Sequence, residues 1–161
     1  QLEIVCVYET TPLGTGGALS LLSRGVVDSP LLIMNGDLLT RLNFGELLDF
    51  HEKHDGLATL CVAEYDFQIP YGVVQSDGML LTEILEKPVQ KCFVNAGIYV
   101  LEPSVLDRIM PDEAIDMPVI LQQVLRGGDR VNMFPIHEYW LDIGRVEEYE
   151  RAQADVSKMK S

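Results

Sequence analysis

Two carboxylates stand out by their surroundings. Asp37 follows the apolar run Leu31-Leu32-Ile33-Met34 and the turn Asn35-Gly36. An unbroken apolar run bounded by turn residues fits a strand buried on both faces, as in a parallel sheet between helices. Asp37 then sits just past the carboxyl end of a central strand, where open α/β sheets bind ligands. A carboxylate beside a flexible glycine can ligate a hard cation such as Mg2+ there. Locally, a turn aspartate that caps the following backbone is the plainer reading. Asp142 lies between Leu141 and Ile143, two residues after the single tryptophan, Trp140. That setting implies a partly buried acid, which must be paired or metal-bound. Read alone, a structural salt bridge explains it best.

Three further stretches could carry chemistry. Thr10-Thr11-Pro12-Leu13-Gly14-Thr15-Gly16-Gly17 is a glycine-rich loop leading to a short helix from Ala18 to Leu22. Glycines ahead of a helix let a ligand approach the backbone, and the helix N-terminus presents free N–H groups. A tight connection with no ligand reads equally well. The spacing matches neither a Walker loop nor the dinucleotide fingerprint. Glu86-Lys87-Pro88 closes a strand-like run, and alternation sends Glu86 and Lys87 to opposite faces. Both serve one ligand only if the strand breaks there, which Pro88 favours; alone, they read as a solvated charge pair. From Cys92 to Leu101, Val94, Ala96, Ile98 and Val100 share one face, a core face. Phe93, Asn95, Gly97 and Tyr99 share the other. That second face suits a pocket wall for a polar ring, or a sheet surface covered by a loop. His51 lies with Phe44, Leu47 and Leu48 on one helix face, so it reads as a packed, hydrogen-bonded histidine. His51 and His54 lack the spacing of a zinc motif.

The elements that must position these residues alternate along the chain. A strand is expected at Glu3 to Glu9, then the central strand before Asp37. Asn43 caps a helix with Glu46 three residues on, and Gly56 ends it. Leu57 to Glu64 reads as a strand. Pro70-Tyr71-Gly72 turns into a hairpin, Val73 to Leu85, around Ser76-Asp77-Gly78. After the strand Cys92 to Leu101 comes a short helix, Ser104 to Met110. Asp116 is the expected N-cap of a longer helix, with Pro118 in its first turn and Gly127-Gly128 closing it. Its buried stripe is Met117, Ile120, Leu121, Val124 and Leu125. A strand from Asp129 to Ile136 and an acidic helix from Val146 to about Val156 complete the chain. This order predicts an α/β domain over residues 1–161, a mostly parallel sheet flanked by helices with an inserted β-hairpin.

Bulk properties narrow the partners. The 161 residues are 47% hydrophobic, enough for one domain with a sizeable core. A formal net charge of −13 gives little attraction to nucleic acid or an anionic membrane. No apolar run approaches the roughly 20 residues of a membrane span. Cys6, Cys61 and Cys92 fit neither a disulfide framework nor a zinc pattern, and read as buried thiols of a reducing, cytoplasmic protein.

Taken in order, six motifs resemble the sugar-1-phosphate nucleotidylyltransferases, Rossmann-like enzymes of GT-A type. They are Pro12-Leu13-Gly14-Thr15-Gly16-Gly17-Ala18-Leu19, Asn35-Gly36-Asp37, Pro70-Tyr71-Gly72-Val73-Val74, Glu86-Lys87-Pro88, Asn95-Ala96-Gly97-Ile98-Tyr99 and Trp140-Leu141-Asp142-Ile143-Gly144. The segment from Phe134 to Arg145 looks most like the mannose-1-phosphate guanylyltransferase-like branch, which implies GTP as the donor. The resemblance implies that Gly14, Gly16 and Gly17 border the base, and that Asp37 and Asp142 hold the catalytic Mg2+. Gly36 belongs to the same turn as Asp37. Gly72 and Asn95, with Gly97 beside it, would face the sugar. Glu86 would accept from sugar hydroxyls and Lys87 would contact the sugar phosphate. The implied partners are a nucleoside triphosphate and a sugar 1-phosphate.

The family opens with a strand and a glycine-rich loop carrying an Arg, then a Lys-Pro segment. This chain shows none of these and opens directly on a strand-like run. An N-terminally truncated domain is therefore expected, inactive alone or nearly so, with an exposed edge that favours a homo-oligomer. Three other readings compete. One is a non-catalytic nucleotide- or sugar-binding regulatory module of the same fold. Another is a GT-A glycosyltransferase, which would show Asp-x-Asp where Asp37 is followed by Leu38-Leu39. The last, an NAD oxidoreductase, lacks its glycine fingerprint.

Overall fold

A computed structural model describes residues 3–22, 28–144 and 146–159. In chain order its elements are α1 (Gly14–Gly17), β1 (Leu31–Met34), β2 (Leu38–Thr40), α2 (Phe44–Lys53), β3 (Ala58–Gln68), β4 (Val73–Asp77), β5 (Leu80–Leu85), β6 (Val89–Leu101), α3 (Met117–Arg126), β7 (Val131–Ile136), β8 (Trp140–Asp142) and α4 (Val146–Met159). Residues Ala18–Leu21 and Pro103–Arg108 are 3-10 turns. Asn43 caps α2 as its sequence implies. Its Oδ1 accepts from the N–H groups of Gly45 and Glu46 at 3.0 and 3.4 Å, and its Nδ2 donates to Glu46 Oε1 at 2.8 Å. Two free backbone donors at the helix start are thereby satisfied.

The main sheet has the order β1-β6-β3-β7. β6 pairs antiparallel with both β1 and β3, while β3 and β7 pair in parallel. Strands β1, β3 and β7 therefore share one direction, and β6 is the reversed strand wedged between two of them. The expected mostly parallel sheet holds for strand direction and fails for neighbour pairing. The reason lies in the connection: β3 returns as β6 through the inserted hairpin β4–β5, so the two are arms of one long antiparallel ribbon. β2 and β8 form a separate two-stranded ladder.

Apolar layers cover both sheet faces. Tyr99 and Leu101 pack with Val105, Ile109, Met117, Ile120 and Val124 on the α3 side. Ala96, Ile98 and Val100 pack with Leu47, Cys61 and Ile136 on the α2 side. The stretch of β6 expected to form a pocket wall is thus core from Tyr99 onward, because α3 covers it. The expected strand at Glu3 to Glu9 is irregular and open to solvent, with Ile4, Val5 and Tyr8 exposed at 78%, 73% and 86%. Alternation makes a segment suited to a sheet but supplies no partner strand. β1 is half-buried rather than covered on both faces: Leu32 and Met34 are 39% and 41% exposed. Of the cysteines only Cys61 is buried; Cys6 and Cys92 are exposed.

His51 behaves as its helix face implies. It is buried, with Nδ1 2.8 Å from Thr59 Oγ1 and Nε2 3.2 Å from Glu102 Oε1. Asp116 departs from expectation. It precedes α3 but makes no side-chain hydrogen bond to that helix. Its carboxylate instead accepts from Thr15 N–H and Thr15 Oγ1, at 2.9 and 3.2 Å.

Candidate functional site

β2 and β8 bring the two distant acids together. Leu38 stands opposite Asp142 in their register, and Ile143 N–H donates to the Asp37 carbonyl at 2.9 Å. The chain then turns at Gly144, whose N–H donates to Asp142 Oδ1 at 2.8 Å. A Cβ built on Gly144 would lie 3.0 Å from Asp142 Oδ1 and 3.3 Å from Asp37 Oδ2. Both carboxylates therefore face the space beside one bare glycine. Among the described residues neither forms an ion pair with Lys, Arg or His. Asp142 is exposed to the cleft, so the salt bridge favoured by its local sequence is not what holds it.

This glycine opens onto a cleft of about 760 Å³. Asp37, Asp142, Glu64 and Glu148 contribute carboxylates to its lining, and among the described residues no Lys, Arg or His does so. A bound cation would offset that concentration of negative charge. Tyr65, Asn95 and Trp140 complete the polar and aromatic wall, and Trp140 Nε1 is fixed by donating to the Ala96 carbonyl at 2.9 Å.

Asn95 is held at both ends. Its Nδ2 donates to Tyr99 Oη at 2.9 Å, and its Oδ1 accepts from Gly97 N–H at 2.9 Å. Gly97 has φ +69, and a Cβ there would meet Asn35 Nδ2 at 2.8 Å. The left-handed backbone favours glycine here, and a side chain would also displace the Asn35 amide. The Tyr99 phenol is pushed above its ordinary pKa by burial; the Asn95 bond opposes that shift, and the charge of Asp116 adds to it. Gly36 leaves open space at the turn into Asp37.

Two other groups of expected site residues lie outside this lining. At the far end of the β3–β6 ribbon, Glu86 Oε2 lies over Gly72, 3.2 Å from where a Cβ would stand. Lys87 follows, exposed, with φ +46. The strand does break at Glu86-Lys87, between β5 and β6, as joint service of one ligand requires. The third group is the glycine loop. Gly14 to Gly17 form α1 itself, and the N–H groups of Gly16 and Gly17 both donate to the Ile115 carbonyl at 2.9 Å. Those donors are therefore consumed inside the fold. A Cβ at Gly16 would stand 2.4 Å from Ile120 Cδ1, so this glycine permits close docking against α3.

Sequence reasoning missed Glu64, Tyr65 and Glu148 as cleft residues. Glu64 carried a signal: it ends an apolar strand, as Asp37 follows one. Arg145, in the segment that resembles the guanylyltransferase branch, lies outside the described residues.

A family model described as nucleotidyl transferase matches residues 1–159. Mannose-1-phosphate guanylyltransferase 1 of Arabidopsis thaliana is 34% identical over 160 residues, covering 92% of this chain and 43% of that protein. Mannose-1-phosphate guanyltransferase of Schizosaccharomyces pombe is 34% identical over 158 residues, with the same two coverages. The chain thus spans less than half the length of these relatives. Among solved structures, HddC from Yersinia pseudotuberculosis superposes with a TM-score of 0.64 at 24% identity, over 92% of this chain and 64% of HddC. A second structure of HddC, complexed with GMP-PN, gives 0.65 at 24% identity, over 93% and 65%. At that identity the match establishes the shared fold.

Proposed function

The chain belongs to the nucleotidyl transferase family, and from that premise we propose that the full-length protein joins a sugar 1-phosphate to a nucleoside triphosphate, giving a nucleotide sugar and pyrophosphate. The observation that carries the reading is the meeting of Asp37 and Asp142 at Gly144. GTP and mannose 1-phosphate are the first pair to test, because the relatives that match are named for them.

Mg2+ fits this donor set: two carboxylates of hard oxygen chemistry border a space that a single Cβ would fill. Asp37 and Asp142 would hold the ion, which when bound supplies charge neutralisation to phosphate oxygens. The chain's own residues do the positioning. Asn95 has one amide hydrogen and one oxygen lone pair left after its internal bonds, and offers them to a sugar hydroxyl. Glu86 accepts from sugar hydroxyls, across the space that Gly72 leaves open. Lys87 brings cationic charge to the sugar phosphate. Of the glycine loop, exposed Gly14 leaves the base a surface without a side chain, while Gly16 and Gly17 are buried beneath it and set its position against α3. A sugar-phosphate oxygen then attacks the α-phosphorus in line and pyrophosphate departs. Little covalent work falls to the protein, so orientation and electrostatics dominate.

The chain by itself is expected to be inactive or nearly so, since none of the described residues lining the cleft is cationic. A cytoplasmic setting and a homo-oligomer belong to the same proposal. The test is pyrophosphate release by the full-length protein with GTP, mannose 1-phosphate and Mg2+. Turnover that disappears in Asp37→Asn and Asp142→Asn supports the reading. Turnover indifferent to both substitutions refutes it.

A further inference from the structure

Lys87 is one of two described non-glycine residues with positive φ, at +46°. Non-glycine residues adopt this region in only a few per cent of cases, so the surroundings must impose it. Two contacts at the mouth of the ribbon do so. Gln68 Nε2 donates to the Lys87 carbonyl at 3.2 Å, and Ile69 N–H donates to the Pro88 carbonyl at 3.0 Å. Gln68 also faces Val89 in the β3–β6 register, so it is the last rung of the ladder and the first grip on the turn.

The geometry matters because Glu86 and Lys87 are consecutive. In a continuing strand their side chains would leave by opposite faces. A left-handed residue at this point ends the alternation. We infer that Gln68 is a positioning residue for Lys87, holding the Glu86-Lys87-Pro88 turn in the conformation that lets neighbouring residues address one sugar phosphate. The inference rests on the function proposed above and names a side chain which that function does not use. Gln68 acts through a backbone carbonyl and touches no reacting atom.

The experiment is steady-state kinetics of the full-length protein carrying Gln68→Met, which keeps the length of the side chain and removes its donor. KM for mannose 1-phosphate is expected to rise about 3- to 10-fold, the usual worth of one neutral hydrogen bond. KM for GTP and kcat should stay unchanged, a selectivity that a general loss of stability would not produce. Unchanged KM for mannose 1-phosphate would overturn the inference and leave the function standing. Absence of any turnover in the unaltered protein would remove the function and this inference with it.

A ligand-free measurement checks the clamp separately. Lys87→Gly relieves the left-handed backbone and should raise the melting temperature. Gln68→Met should lower it in the unaltered chain, and by more in the Lys87→Gly background, where the carbonyl bond is kept and its release relieves no backbone strain. Equal losses in both backgrounds would show that Gln68 does not act through Lys87, and would overturn the inference.

Discussion

The two halves of β3 differ in their neighbours more than in their residues. From Ala58 to Ala63 the strand is paired on one side with β6 and on the other with β7. From Glu64 to Gln68 only β6 remains, and every residue is exposed. Tyr65, Phe67 and the facing Phe93 are 54%, 47% and 50% exposed, although each is as apolar as the side chains buried further back. Residue type therefore does not decide burial here; the end of β7 does. Glu64, Tyr65, Val94 and Asn95 line the cleft where double support gives way to single support. The supported half supplies rigidity, and the boundary supplies chemistry.

That division can be broken at several points. The largest effect on stability should come from the supported half. Ile98→Ala, which truncates a fully buried β6 side chain, is expected to cost about 2–5 kcal/mol in denaturant unfolding. Phe67→Ala, on the open half, should cost well under 1 kcal/mol by the same measurement; equal losses would erase the contrast. At the boundary, Asp142→Asn should leave the unfolding curve nearly in place while lowering turnover of the full-length protein about 100-fold, the scale of one lost electrostatic stabiliser. His51→Ala should cost about 1–3 kcal/mol, because it leaves Thr59 and Glu102 without their shared partner.

Two thiols sharpen the contrast with the smallest perturbation. Cys61 lies in the supported half of β3, and Cys92 faces Tyr65 in the open half. Burial pushes the Cys61 thiol up to about 12, so a thiol reagent at mildly alkaline pH should label Cys92 in the folded chain and spare Cys61. The linked stability effect has a definite sign. A thiol whose folded pKa exceeds its unfolded value favours folding at neutral pH. That contribution should decline as pH rises from the ordinary 9.0 toward about 12. Equal labelling of both cysteines would show that the supported half opens as readily as the ribbon.

Parts of this arrangement were legible in the residues. The α2 start was, because Asn43 and Glu46 satisfy backbone donors within one turn. So was the packing of His51, which fell on an apolar helix face. The meeting of Asp37 with Asp142 was accessible only through the order of motifs, since it depends on a ladder between β2 and β8 more than ninety residues apart. The reversed direction of β6 was hidden, because alternation describes one strand and says nothing about its neighbours. The glycine loop stayed open between two readings for a related reason. Bare backbone can receive a ligand or another part of the same chain, and here the Ile115 carbonyl takes both N–H groups.

The turn at Gly144 has a consequence for how such a centre can be lost. Adding one methyl group there changes no charge and removes no oxygen, yet it would crowd both aspartates in the space where the proposed ion would stand. Alanine at this position is therefore a plug rather than a deletion. It should silence the reaction while both acids remain in place, so an inventory of ligands alone would still count the centre as intact.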